Sequence, residues 1–168
     1  MNIRCETLQD HSAITEVKVL AFGQENEARL VEEIRRSDRY IPELSLVAEV
    51  ENIVVGYILF SYIDLVDTET LQVLGLAPVA VRPEFQRKGI GSALVEAGLK
   101  IADTKKEAIV IVLGHPQFYN RFGFQPSVNY QITSPFPVPE DVFMVKPLKS
   151  YQQKYRGKVV YPPAFETV

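Results

Sequence analysis

The sequence predicts an α/β chain in which antiparallel and parallel strand pairing coexist. Three observations predict it. Two apolar runs, Leu44 to Val50 and Ile53 to Ile63, meet at Glu51-Asn52, a two-residue hairpin signal in which Asn takes positive φ. A strand from Thr70 to Val81 leads through a short polar loop into a helix that opens at Gly89-Ile90-Gly91 and runs to about Asp103. Ala108 to Leu113 is then apolar throughout, which suits a strand buried on both faces, as in parallel pairing.

The remaining elements follow in order. Ile3 to Glu6 reads as a first strand. Thr7-Leu8-Gln9-Asp10 has the Ser/Thr-x-x-Asp/Glu form of a helix start, Ile14, Val17, Leu20 and Ala21 make one apolar face, and Gly23 is a natural stop. His11, in the first turn, reads as a solvated surface histidine, the alternative being a catalytic one. Glu25 to Ser37 is a second helix with Leu30, Val31 and Ile34 inward; Glu25 with Arg29 and Glu32 with Arg36 are spaced as i,i+4 pairs. The central helix carries its stripe on Ile90, Ala93, Leu94, Ala97 and Ile101. Asp64 to Glu69 reads as a polar loop, Pro116 starts a short helix that Gly123 ends, and Phe124 onward reads as strand. Pro135, Pro137 and Pro139 mark a loop. Asp141 to Leu148 and Lys158 to Tyr161 are the last strands.

Bulk properties narrow the function. A length of 168 residues fits one domain, 1–168, with room for a sizeable core. The net charge of −3 gives no electrostatic footprint for nucleic acid or an anionic membrane. One cysteine, Cys5, and two histidines, His11 and His115, supply neither a disulfide framework nor a metal cluster, so no metal is expected. Met1 to Glu6 lacks an apolar signal core, and no run is long enough to span a membrane, so the expectation is a cytoplasmic protein with no membrane or nucleic-acid partner. Lys149, Lys154, Arg156 and Lys158, interleaved with Tyr151 and Tyr155, could mark nucleic-acid binding, but the acidic total favours a solvated surface.

The stretch with chemical content runs from Leu74 to Ala97. The first amides of a helix have no carbonyl partner within it, and their dipole end favours an anion. Gly89 and Gly91 keep Cβ atoms away, so a phosphate can approach the main chain, and Arg87 and Lys88 add positive charge there. The stretch therefore reads as a loop for a pyrophosphate-bearing ligand. A P-loop would need Gly-x-x-x-x-Gly-Lys-Ser/Thr, which is absent. The dinucleotide pattern fails at its third small position, which falls on Leu94. Six residues also separate the strand from Gly89, and no acid ends the strand from Ile109 to Leu113.

The pattern Val81-x-Pro83-x-x-Gln86-x-x-Gly89-Ile90-Gly91 resembles the acetyl-CoA-binding motif of the GNAT superfamily of N-acetyltransferases, Gln/Arg-x-x-Gly-x-Gly/Ala. Phe118-Tyr119-x-x-x-Gly123-Phe124 resembles the second signature of that family. With LAPVAVRPEFQRKGIGSAL, LGHPQFYNRFGF and GKVVYPPAF in order, the chain is similar over nearly its whole length to a subgroup of small bacterial predicted N-acetyltransferases. The resemblance implies a GNAT-like mixed, mostly antiparallel sheet with a splayed parallel central strand pair, flanked by helices, and acetyl-CoA as co-substrate entering the splay.

Carried onto this chain, the resemblance implies that Gln86, Arg87, Lys88, Gly89, Ile90, Gly91 and Ser92 wrap the pyrophosphate. Val79 and Val81 would turn core side chains inward and offer main-chain groups to the acetyl and pantetheine moieties, with Pro78 marking an irregularity beside the ligand. Tyr119 stands at the family's position for the acid that protonates the leaving thiolate; the alternative is an aromatic that packs in the core or on pantetheine. The acceptor would be an amine of a small molecule or peptide, approached near Glu25, Glu27, Glu32 or Glu33, whose other reading is a solvated helix face. The glutamate base of some relatives falls near Gly75, with only Gln72 close by, and Gly114-His115 replaces an Asn common in the family. His115 is either a base or a cap of the short helix. The resemblance is compatible with a homodimer. The other functional class left open is an acyl-CoA-binding sensor or interaction module without catalysis.

Overall fold

Residues 1–167 are described in the computed structural model, and the contacts within the chain divide it into two units. The first comprises residues 1–61, 77–101 and the segment from Pro163; the second comprises residues 62–76 and 102–162.

In the first unit, β1 (Asn2–Cys5) gives way to a helical start at Thr7, whose N–H and hydroxyl both donate to the Asp10 carboxylate, at 2.7 and 3.0 Å. A single 3-10 turn, Leu8–Asp10, leads into α1 (His11–Phe22), which stops at Gly23 with φ +70°. α2 (Asn26–Arg35) turns Leu30, Val31 and Ile34 inward, and its predicted ion pairs form, Glu25 to Arg29 at 3.6 Å and Glu32 to Arg36 at 3.4 Å. β2 (Ser45–Val50) pairs antiparallel with β1 and with β3 (Ile53–Val66). The hairpin turns at Glu51 and Asn52, both at positive φ, as its two-residue length requires.

β4 (Thr70–Val81) lies next to β3, and α3 (Ile90–Thr104) follows it. Small residues set how closely α3 approaches β3. A Cβ at Gly56 would meet Ile90 and Leu94 at 3.1 Å, and one at Gly98 would overlap the Phe60 ring. The buried face of α3 is therefore Ile90, Leu94, Val95, Gly98 and Ala102, while Ala93, Ala97 and Ile101 keep partial exposure. The core of this unit joins Ile14, Val17, Leu30, Val31 and Ile34 from the helices to Val47, Tyr57, Leu59 and Ala80 from the strands.

A polar cluster sits inside the same unit. The buried Glu6 carboxylate accepts from the Ser45, Tyr40 and Tyr57 hydroxyls and from Arg35 at 2.8 Å, and His11 Nε2 lies 2.8 Å from it. Burial works against the charge, but Ser45 and Arg35 outweigh it and hold Glu6 below the usual carboxylate range. His11 is thus anchored on a buried carboxylate rather than solvated, with a third of its side chain exposed. Beside it Lys18 is fully buried, its Nζ without a hydrogen-bond partner and 5.3 Å from the centroid of the Tyr57 ring.

In the second unit, β5 (Ile109–Leu113) runs parallel to β4, and the pairing is confined to Leu74–Val110 and Gly75–Ile111. α4 (Pro116–Tyr119) passes into a 3-10 turn, Asn120–Phe122, that ends at Gly123 with φ +89°. β6 (Gln125–Pro126) is only two residues long, because Pro126 donates no N–H and a 3-10 turn, Ser127–Tyr130, follows. β7 (Ile132–Thr133), β8 (Phe143–Pro147) and β9 (Gly157–Val160) complete the unit. β8 lies antiparallel along all five residues of β5 and also takes β6; β9 pairs antiparallel with β3 and parallel with β7. The sheet is mostly antiparallel, and helices flank it. The predicted loop from Asp64 is overturned: β3 continues to Val66 because Asp64, Leu65 and Val66 find partners on β9.

Candidate functional site

The loop between β4 and α3 is braced from behind. The Arg82 N–H donates to the Val55 carbonyl at 2.8 Å, and its guanidinium pairs with Glu84 at 2.8 Å and Glu16 at 3.3 Å. The Gln86 side chain turns back and donates to the Val81 carbonyl at 3.0 Å, leaving its main chain for the loop. Arg87 and Gly89 both take left-handed backbone, with φ +63° and +82°. The Ala93 N–H makes the first helical bond, to the Gly89 carbonyl at 3.0 Å, so the amides from Gly89 to Ser92 precede the helical ladder.

This geometry suits a phosphate. A Cβ at Gly89 would meet nothing within 4 Å, so the space on that side of Gly89 is open. Gln86, Arg87, Lys88 and Gly89 are exposed, and residues 86–92 contain no acid. Lys88 lies over the Phe85 ring, 5.4 Å from its centroid, which holds its charge beside the loop. The nearest acid in sequence, Glu84, is neutralised by Arg82. The residues present therefore fit a pyrophosphate.

On the strand before the loop, Ala80 is the core residue, 4 % exposed, whereas Val79 and Val81 are only half-buried. This corrects the expectation that the two valine side chains are core: alternation turns Ala80, not its neighbours, toward α1 and α2. The Ala77-Pro78 peptide is cis.

In the second unit Tyr119 is 6 % exposed. Its ring meets Phe118 and Phe124 edge-on, with centroids 4.9 and 5.5 Å away. Its hydroxyl makes no hydrogen bond among the described residues. Burial pushes the phenol up to about 12. His115 caps α4 through its carbonyl, which accepts the Phe118 and Tyr119 N–H groups at 3.1 Å, and its ring is exposed. At Gly75 a side chain would strike Ile63, 3.0 Å from its Cβ position, so the site leaves no room for a carboxylate there, and Gln72 points to solvent.

The acidic residues of α2 divide. Glu25 is exposed and Glu32 half-buried, each paired with arginine, while Glu27 is buried and bonded by Gln24 at 3.0 Å. The basic tail is partly neutralised: Arg156 pairs with Asp67 at 3.4 Å, and Lys154 lies over Tyr155. A cleft of about 210 Å³ beside Tyr130, Tyr151 and Arg156 contains no residue of either signature. The polar cluster around Glu6 had no sequence signal beyond the capping box, since its members come from six separate segments. Among the described residues no helix is long and apolar enough to cross a membrane.

Comparison with known proteins agrees with this geometry. A family model described as an acetyltransferase (GNAT) domain matches residues 42–126. The chain is 37 % identical to the uncharacterized N-acetyltransferase YjhQ of Escherichia coli K12, over 79 % of this chain and 74 % of that protein. It is 36 % identical to the uncharacterized N-acetyltransferase YhbS of the same strain, over 86 % of each. Among solved structures, the Escherichia coli YhbS complex with CoA superposes with a TM-score of 0.88 at 32 % identity, covering 98 % of this chain and 91 % of that one. A GNAT-family acetyltransferase from Brucella melitensis in complex with acetyl-CoA gives 0.80 at 30 % identity, covering 98 % and 97 %. With the glycine-opened helix, the parallel β4–β5 pair and these relatives together, the chain belongs to the GNAT family of N-acetyltransferases.

Proposed function

We propose that the chain, acting as one catalytic domain, transfers the acetyl group of acetyl-CoA to an amine of a small molecule or peptide by direct attack. The observation that carries this reading is the opening of α3: left-handed backbone at Arg87 and Gly89 just before the helix, open space at Gly89 and two exposed cations with no acid among them. The main chain from Gln86 to Ser92 takes the pyrophosphate, with Arg87 and Lys88 adding charge. The bound CoA and acetyl-CoA of the two similar structures support the choice of ligand. Val79 and Val81 offer main-chain groups to the acetyl and pantetheine moieties, and the Val79 N–H is the oxyanion donor.

The neutral amine nitrogen forms a bond to the thioester carbon, the carbon–sulfur bond breaks, the thiolate takes a proton from Tyr119, and the proton that the nitrogen sheds to become an amide returns through water to the Tyr119 phenolate. A phenol held up to about 12 stays protonated across the working range. A thiolate near 8.5 in water becomes a stronger base when desolvated, so burial raises donor and acceptor together. An alkylamine near 10.4 loses its proton at pH 7 at a cost of about 4.6 kcal/mol. No side chain is assigned to remove it, because Gly75, Gln72 and His115 do not supply a placed base. The retained Tyr119, with its unbonded hydroxyl, favours turnover over a sensor that only binds acyl-CoA. Calorimetric titration with CoA and acetyl-CoA tests the ligand: both bind with one site per chain, and 3′-dephospho-CoA, which keeps the pyrophosphate, also binds. Absence of heat with all three contradicts the reading.

A further inference from the structure

Gly114 is a glycine for a reason other than backbone freedom. It is not among the glycines at positive φ, which are Gly23, Gly89, Gly123 and Gly157. What it lacks is a side chain, and the space is taken. A Cβ at Gly114 would stand 2.5 Å from Cε2 of Tyr119, 3.0 Å from Cδ2 and 3.5 Å from Cζ, the carbon that carries the hydroxyl. Phe118 and Phe124 meet the same ring edge-on, so the ring has little room to retreat. The main chain is held at both ends of the segment. The Gly114 N–H donates to the Val142 carbonyl at 3.0 Å, and the Tyr119 N–H donates to the His115 carbonyl at 3.1 Å. A side chain at 114 would therefore displace the Tyr119 ring rather than the backbone, and the hydroxyl, at the far end of the ring, would be carried with it.

We infer that Gly114 is a positioning residue for the reaction: its missing side chain is the volume that seats the Tyr119 ring and fixes where the hydroxyl stands. The inference rests on the reading of Tyr119 as the proton donor. Misplacing a reacting group by about 1 Å lowers rates by up to about 100-fold. A role exerted through the hydroxyl must also vanish when the hydroxyl is removed, whereas a purely structural role persists.

The test is a double-mutant cycle of Gly114→Ala and Tyr119→Phe. It is read as thiol release from acetyl-CoA with the fastest acceptor from a panel of primary amines. Gly114→Ala is expected to lower kcat by roughly 10- to 100-fold, with KM for acetyl-CoA within about 2-fold, and to cost less than about 2-fold in the Tyr119→Phe background. Equal cost in both backgrounds overturns the positioning role and leaves the donor reading standing. A Tyr119→Phe enzyme as fast as the native one overturns the donor reading, and the inference with it. A readout that needs no acceptor is the ¹⁹F resonance of Tyr119 in fluorotyrosine-labelled protein, assigned by its loss in Tyr119→Phe. It shifts in Gly114→Ala, and an unmoved resonance contradicts the inference. Should Gly114→Ala fail to fold, Gly114→Ala with Tyr119→Leu must fold again, since removing the ring removes the clash; failure of that pair also overturns it.

Discussion

At the scale of single residues, the loop before α3 turns on Gly89. Its φ of +82° is costly for any residue with a Cβ, while the space around it is empty. Two substitutions separate these effects. Gly89→Ala carries only the backbone cost, about 1 kcal/mol of stability, and weakens CoA modestly. Gly89→Glu adds bulk and negative charge where the proposed site takes the phosphates, and is expected to raise the Kd for CoA by about 100-fold or more in calorimetry, equivalent to roughly 3 kcal/mol. Equal affinity of the Glu variant and the native chain contradicts the assignment of the loop. The strand–turn–helix conformation here was legible in the sequence because its determinants are local: the apolar strand, the polar turn and the glycines that open the helix lie within one short stretch. The inward residue of β4 was misread by one position. Val79, Ala80 and Val81 are all apolar, and only the packing of Ala80 against α1 and α2 decides the phase.

At the scale of elements, α1 and α2 cover β2 and β3 through a layer that contains charge. Lys18 on α1 faces Arg35 and Glu32 on α2, Glu6 beyond β1, and Tyr57 on β3, with His11 and Tyr40 on the same carboxylate. Burial, helped by Arg35, pulls the Lys18 amine down to about 7, against the pull of Glu6 and Glu32. Between about 7 and the ordinary value of 10.5, the unfolded chain binds a proton that the folded chain does not. Stability from this group therefore rises with pH across that window, by at most about 1.4 kcal/mol per unit, and is lost as pH falls through 7. Lys18→Met, of similar length and without charge, is expected to be more stable than the native chain at pH 6, with the gap narrowing by pH 9 in urea melts. Parallel curves contradict the burial of a titrating amine. None of this was legible, since Lys18 sits in an amphipathic pattern where a lysine reads as solvated. The stripe of α3 was also misread in part, because Gly98 carries no apolar signal although Phe60 fills its place. Gly98→Ala is expected to cost about 1–3 kcal/mol by overpacking, read as a lowered melting temperature with β3 and α3 forced apart. An unchanged melting temperature contradicts that contact.

At the scale of the whole molecule, the hairpin of β2 and β3, the full span of β4 and the five residues of β5 were legible, because turn chemistry and apolar runs act over short distances. The extension of β3 to Val66 was not, since its partner β9 lies about ninety residues further along the chain. Nor was the division into two units, which depends on contacts between distant segments. The pH profile of transfer belongs to this scale too. Below the pKa of the acceptor, kcat/KM is expected to rise about tenfold per pH unit as the amine loses its proton. No falling limb is expected below pH 10, because Tyr119 stays protonated. A profile that falls between pH 8 and 10 would assign the acid to another group. The most direct test of acetyl transfer is thiol release from acetyl-CoA by the purified native chain, with and without each member of a panel of primary amines and peptides. Release that requires an amine, with mass spectrometry showing that the same amine gains 42 Da, is the expected result. Saturable binding of acetyl-CoA without amine-dependent release from any member would contradict the enzyme and leave a protein that binds acyl-CoA without transferring it.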